Sequence, residues 1–227
     1  MGSLIAQLIN QTEDIVVIAA AEQATHPLSG QMLGLGRTLQ VVPVDELDLT
    51  AVDVLVDFTS PETCLRALAM AEKGSCAFVS GTTGLTALQR EIVRGAANNI
   101  PIVHAPNMAP GVNIFFHAVQ ALSRQLGPDY GVEVVEIHHR HKVDAPSGTA
   151  KRLLEFIGRD APCHSLRIGE VVGEHQVHFA ALGERITLTH QAESREAFAQ
   201  GALRAIRFIA GKEAGFFDMS QVLALSS

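Results

Sequence analysis

The sequence predicts an α/β fold, a Rossmann-like doubly wound parallel sheet followed by a second, α+β domain. Three observations carry this. The first half holds short apolar runs without alternation, separated by helical patterns, as parallel strands buried on both faces require. The second half turns to strands that alternate apolar and polar residues, the pattern of antiparallel strands covered on one face. Between these two patterns lies a polar stretch, Glu136 to Thr149, dense in histidine.

Met1 to Asn10 is expected to be helical, with Leu4, Ile5, Leu8 and Ile9 at helical spacing. Ile15–Ile18, Val52–Val56, Ala77–Val79 and Ile100–Val103 are the expected strands, with helices over Pro61 to Lys73 and Thr86 to Asn98. Ligands of such a sheet bind beyond the carboxyl ends of its strands. After the first expected strand comes Glu22, where an acidic side chain can hydrogen-bond the adenosine ribose hydroxyls. Its neighbours Gln23 and Ala24 bring no cation for a 2′-phosphate, so NADH is favoured over NADPH; the plain alternative is a surface glutamate. Phe58, after the second, could line the adenine or pyrophosphate edge. Gly81-Thr82-Thr83-Gly84 permits close backbone approach to a cofactor, or is simply a turn. Ala105-Pro106-Asn107-Met108 is where a nicotinamide ring would lie.

Gly111 to Gln125 reads as a helix and Val132–Ile137 as a strand that runs into the histidines. Gln176–Ala180 and Arg185–His190 alternate and are joined by a short turn at Leu182 to Glu184. Ser194 is a plausible N-cap for a helix from Arg195 to Ala210 that Gly211 ends. The domains expected are a dinucleotide-binding domain, 1–106, and a substrate-binding and oligomerisation domain, 107–211; 212–227 packs back on the first. The exposed face of the alternating strands points to a sheet-mediated homo-oligomer, taken as a homotetramer.

The central stretch reads Glu136-Ile-His-His-Arg-His-Lys-Val-Asp-Ala-Pro-Ser-Gly-Thr149, with a helix expected from Ala150 to Ile157. Histidine is the side chain whose ordinary pKa lies nearest neutrality, so the cluster can exchange protons. The free N–H groups at the helix start at Ser147-Gly148-Thr149 suit a carboxylate or phosphate. Together they describe a site for a small anionic substrate that is protonated. A solvated basic face and a simple N-cap are the structural alternatives. His139 and His141 could share one strand face toward a metal, but no Cys or carboxylate stands at ligand spacing and the adjacent cations oppose one, so no metal is expected.

Composition narrows the classes. The chain has 227 residues, 47% hydrophobic and 18% charged, ample for a packed core. A net charge of −7 argues against nucleic acid or an anionic membrane as partner. Cys64, Cys76 and Cys163 are odd in number and lack CxxC spacing, which disfavours a disulfide framework. No apolar run approaches the ~18 residues of a membrane span, no leader pattern opens the sequence, and a cytoplasmic protein is expected.

Glu136 to Ala150 resembles, at every fixed place, the signature E-x-H-H-x-x-K-x-D-x-P-S-G-T-A of the 4-hydroxy-tetrahydrodipicolinate reductase (dihydrodipicolinate reductase) family. Asp57-Phe58-Thr59, Gly81-Thr82-Thr83-Gly84, Gly111-Val112-Asn113 and the segments from Gly173 to Met219 follow the family in order. The resemblance implies NADH- or NADPH-dependent reduction of a cyclic dicarboxylate in diaminopimelate and lysine biosynthesis. It implies His138 as general acid and Lys142 as a fixed positive charge. His139 would contact substrate, and Ser147, Gly148 and Thr149 would take a carboxylate at the helix start. Gly81, Thr82, Thr83, Pro106, Asn107 and Met108 would contact cofactor, with Phe58 near it.

A Rossmann unit opens with a strand, a glycine-rich turn and a helix. This sequence opens inside the helix, and Met1-Gly2 resembles the end of the family's G-x-x-G-R-M-G loop. The strand and loop are thus expected to be absent, through truncation, a misplaced start or natural loss, with Gly2 their remnant. Truncation or a misplaced start is favoured, since losing a central strand exposes apolar edges. Two other readings stay open: another two-domain NAD(P)-dependent reductase, or an inactive product unable to bind cofactor.

Overall fold

Successive residues of a strand face opposite sides of its sheet, and the first unit of the structure is organised by that rule. The computed structural model describes residues 1–34 and 38–225. Met1–Met108 and Phe198–Ala224 form one compact unit, and the second is built on Ala109–Ala197. Numbered in chain order, the first unit holds α1 (Gly2–Ile9), β1 (Ala20–Glu22), β2 (Met32–Gly34), β3 (Thr38–Pro43), β4 (Val54–Asp57), α2 (Pro61–Gly74), β5 (Ala77–Ser80), α3 (Ala87–Ala96) and β6 (Pro101–His104). Late in the chain come α6 (Glu196–Ile209), β11 (Gly215–Phe217) and α7 (Met219–Val222).

The strands β11-β6-β5-β4 form one parallel sheet in that order. Leu55, Phe78 and Ile102 point to one face and meet Cys64, Leu68 and Ala71 of α2 and Val93 and Ala96 of α3. Their chain neighbours Val79 and Val103 point to the other, against Ile5 and Ile9 of α1 and Ala202, Ile206 and Ile209 of α6. Helices therefore cover both faces, as the unbroken apolar runs require. Fully burying a side chain such as Phe78 contributes about 1.5–3 kcal/mol. Side-chain caps fix the starts of two helices: Ser60 accepts from Thr63 N–H, and Thr86 forms a capping box with Gln89.

Three details differ from the sequence reading. Ile15–Ile18 is not a strand: Ile15 and Val17 pack on the core, but the ladder begins only at Ala20, parallel to β3. A strand is made by its hydrogen-bonded partner, and β3 pairs β1 only from Ala20 to Glu22. β2 and β3 pair antiparallel in a separate three-stranded sheet. The return to the first unit comes with α6 at Phe198 rather than at Lys212, because Ala199, Ala202, Leu203, Ala205, Ile206 and Ile209 are all buried there. Within this unit a Cβ on Gly201 would fall 1.7 Å from the carbonyl oxygen of Met108, so α6 crosses that backbone where only glycine fits. Ser226 and Ser227, at the end of the returning segment, lie outside the described residues.

The second unit holds α4 (Pro110–Leu126), β7 (Gly131–His138), α5 (Gly148–Ile157), β8 (Cys163–Arg167), β9 (Gly173–Ala181) and β10 (Glu184–Ala192). Its sheet runs β10-β9-β7-β8, antiparallel except for the β7–β8 pair. The buried face carries Val132 and Val134 from β7 and Val177 and Phe179 from β9, with α4 and α5 packed alongside. Phe116 stacks on Phe156 at 5.3 Å, and Ser123 donates to the carbonyl of Ile157 at 2.8 Å, tying the two helices together.

Candidate active site

The alternation that buries Val132 and Val134 continues along β7 to Glu136 and His138. Apolar residues thus give way to ionisable ones on the same buried face, and Glu136 lies opposite His175 of β9 in the ladder. Glu136 is fully buried, His138 is 8% exposed and His175 4%. Buried ionisable groups persist only when paired and hydrogen-bonded, and here every one of them has a role in a network.

Glu136 is its hub. One carboxylate oxygen meets His138 Nδ1 in a short contact. The other accepts from Arg167 Nη2 at 2.7 Å and from the backbone N–H of Ser147 at 3.3 Å. Burial alone would raise the Glu136 carboxyl, but the bonds from Arg167, Ser165 and His138 outweigh it and hold the group below its ordinary value. An ionised carboxylate only accepts, so His138 Nδ1 carries the proton between them. Burial pulls His138 below the usual imidazole value, against the opposing pull of Glu136. His175 is pulled down to about 3, first by burial and then by His138.

Arg167 does more than balance Glu136. Its Nη2 also donates to the carbonyl of Asp144 at 2.6 Å and its Nε to that of Lys142 at 3.3 Å, so one guanidinium clamps the turn after β7. Lys142 is 22% exposed at its side chain, and Nζ lies 2.7 Å from Asp144 Oδ1. Lys142 holds the Asp144 carboxyl below its ordinary value, with the Gly148 N–H adding to the effect.

Of the residues the sequence singled out, His138, Lys142, Ser147, Gly148 and Thr149 come together at the end of β7 and the start of α5. Ser147 is buried and spends its hydroxyl on the Ala150 N–H at 3.0 Å and on His175 Nε2, 3.2 Å away. Gly148 is exposed and Thr149 half-buried at the first turn. His139 is half-buried just past the end of β7, its ring 6.4 Å from that of His141. Those two histidines lie in a turn and share no strand face. Among the described residues the group able to gather around a metal is instead Glu136, His138 and His175, their candidate atoms within 4.8 Å of one another. The two oxygens of that carboxylate already bond the Arg167 guanidinium and the His138 ring.

In the first unit the carboxyl ends of β4, β5 and β6 stand side by side. Asp57, 2% exposed, accepts from Ser80 at 2.8 Å, Thr82 at 2.7 Å and Thr59 at 2.5 Å, and Thr59 N–H donates to Thr82 at 2.9 Å. The two strand ends are thereby locked into one surface. Thr83 and Pro106 are exposed there, Gly81 and Asn107 half-buried, and Met108 buried. The ring of Phe58 lies directly over Gly81, 2.1 Å from where a Cβ would stand, so a side chain at 81 would have to displace that ring. Gly2 is exposed at the start of α1, whose N-cap Met1 offers no side-chain bond, and Glu22 ends β1. Exposed backbone at three adjacent strand ends and an acidic strand end fit a dinucleotide. Burial and the nearby Asp57 push the Cys64 thiol up to about 12, which removes it as a nucleophile.

Sequence reasoning missed Asp57, Asp144, Arg167 and His175 and gave Glu136 no role. The period-2 alternation from Val132 was the available signal for Glu136. For Arg167 there was none, because β8 reads Cys-His-Ser-Leu-Arg without a strand pattern.

Two family descriptions match the chain: dihydrodipicolinate reductase, N-terminus, over residues 1–108, and dihydrodipicolinate reductase, C-terminus, over residues 111–223. The 4-hydroxy-tetrahydrodipicolinate reductase of Nitrosomonas eutropha is 41% identical, with 99% of this chain and 94% of that protein aligned. The enzyme of that name from Methanocaldococcus jannaschii is also 41% identical, over 100% and 94%. Among solved structures, a dipicolinate-bound dihydrodipicolinate reductase from Paenisporosarcina sp. TG-14 shares the fold with a TM-score of 0.75 at 21% identity, covering 97% of this chain and 94% of that one. On these matches, spanning both units, the chain belongs to the dihydrodipicolinate reductase family.

Proposed function

We propose that this protein is a 4-hydroxy-tetrahydrodipicolinate reductase, converting its substrate, NAD(P)H and a proton to tetrahydrodipicolinate, NAD(P)⁺ and water. The observation that carries the reading is a histidine held by a buried carboxylate, beside a lysine and the start of α5, in a chain of this family. The nicotinamide cofactor supplies the hydride when bound. Gly2, Glu22, Phe58, Gly81, Thr82, Thr83, Pro106, Asn107 and Met108 are the residues proposed to hold it, and Glu22 supports a preference for NADH.

His138 delivers the proton to the ring. As an imidazolium it keeps Nδ1–H on Glu136 and gives the proton from Nε2. Lys142 offsets the negative charge that develops on the substrate. The N–H groups of Gly148 and Thr149 take one carboxylate, Ser147 holds that helix start in place, and His139 contacts the substrate from the turn. A dicarboxylate brings negative charge beside His138, which favours its protonated form on binding. No metal takes part. We further propose a cytoplasmic homotetramer, supported by the half-exposed apolar strip of Val135, Ile137 and Leu166 on the outer sheet face.

The test is inhibition and substitution together. Pyridine-2,6-dicarboxylate should compete with substrate, and His138→Gln and Lys142→Ala should each lower turnover by at least ~100-fold. Turnover within threefold of the parent, or indifference to that inhibitor, would point to a reductase of another substrate class.

A further inference from the structure

His138 holds its position through one nitrogen. Nδ1 meets Glu136, and the Nε2 edge faces Gly173, where a Cβ would stand only 3.1 Å from it. The absence of a side chain at 173 therefore leaves Nε2 free of crowding from β9. Glu136 is held in turn by Arg167 from β8 and by the Ser147 N–H, and Arg167 reaches the carbonyls of Lys142 and Asp144. A single pair, the buried Glu136 and the half-buried Arg167, thus touches the ring of the proton donor, the turn that carries the lysine and the start of α5.

We propose that Glu136 and Arg167 act as a positioning couple, Glu136 fixing the Nδ1–H tautomer and ring direction of His138 while Arg167 neutralises Glu136 and clamps the Lys142 turn. The inference rests on His138 being the proton donor. Neither residue needs to touch substrate. Glu136 favours the protonated form of His138 by its charge, and Arg167 keeps that carboxylate from taking the proton itself, since a carboxylate beside a guanidinium stays ionised. The other charged groups facing His138 are Lys142 from the turn and Arg167 itself, and both oppose its protonation; His175 from β9 is neutral, its pKa pulled down to about 3.

The experiment compares pH profiles of kcat for the parent, Glu136→Gln and Glu136→Asp, with His138→Gln assayed alongside. Removing the charge should move the alkaline limb of kcat down by about one pH unit and lower kcat about tenfold or more, with KM changed less than threefold. Glu136→Asp, which keeps the charge, should leave the limb near its parental place. A residue that merely supports the fold would lower kcat without moving the limb, and that result overturns the inference. Should Glu136→Gln not fold, nitrogen NMR of the labelled parent decides, with the His138 signals assigned by their loss in His138→Gln. The proton of the neutral ring is expected on Nδ1, and finding it on Nε2 overturns the inference. If His138→Gln itself turns over within threefold of the parent, the proton-donor reading fails; if only the Glu136 results fail, the positioning couple alone is wrong.

Discussion

Lys142 Nζ lies 2.7 Å from Asp144 Oδ1, and the backbone N–H of Gly148 adds to the hold on the same carboxylate. An internal carboxylate thus bridges the lysine proposed to offset negative charge on the substrate and the helix start proposed to take its carboxylate. Binding a dicarboxylate then has to displace Asp144, whose side chain is 52% exposed and free to swing away. Partly exposed pairs of this kind are worth roughly 0.2–1 kcal/mol. Asp144→Asn should accordingly tighten binding of pyridine-2,6-dicarboxylate by about two- to fivefold, read by calorimetry. Weaker binding would mean that Asp144 orients Lys142 rather than competing for it.

The pH dependence follows from the burial of His138. Its pKa in the free protein lies below the ordinary imidazole value, by burial first. A proton donor is active below its pKa, so the rate falls as pH rises through it. Profiles of kcat/KM report the free enzyme and those of kcat the complex. Because a dianionic substrate favours the imidazolium, the alkaline limb of kcat should lie at higher pH than that of kcat/KM. Coincident limbs would show that the substrate brings no charge near His138.

Stability gives a check independent of chemistry. Gly201→Ala drives a methyl group into the Met108 carbonyl, and overpacking of this kind costs about 1–3 kcal/mol or more. A fall in Tm of roughly 2–12 °C is expected for a chain of this size. Gly95→Ala in α3 meets nothing within 4 Å and should be neutral or stabilising by up to about 1 kcal/mol. Equal responses from the two would contradict the close crossing of α6.

Cofactor choice turns on Glu22. If its carboxylate bonds the ribose hydroxyls, Glu22→Ala should lower kcat/KM for NADH about tenfold, the worth of a charged hydrogen bond, and leave NADPH within about twofold. Unchanged selectivity would return Glu22 to the protein surface.

What the sequence made legible was whatever its periodicity wrote twice, in pattern and in punctuation. The runs at Leu55, Phe78 and Ile102 became buried parallel strands because both faces needed apolar residues. The start of α5 was marked by Ser147, and that residue does cap the helix. Less was readable where order depends on a distant partner. Ile15–Ile18 is as apolar as a strand, yet the ladder starts at Ala20 because β3 pairs only there. Arg167 sits in a strand with no pattern of its own, and its importance arises from the register that sets Ile137 beside Leu166 and His138 beside Arg167. The buried hub at Asp57 likewise needs two strand ends brought together before Ser80 and Thr82 can reach it.

This chain is proposed to reduce a cyclic dicarboxylate with a nicotinamide cofactor. The direct measurement is turnover of freshly generated 4-hydroxy-tetrahydrodipicolinate, with NADH or NADPH, followed by loss of reduced-nicotinamide absorbance. Cofactor oxidation is expected in step with tetrahydrodipicolinate formation, suppressed competitively by pyridine-2,6-dicarboxylate. A folded protein that oxidises neither cofactor with this substrate would contradict it.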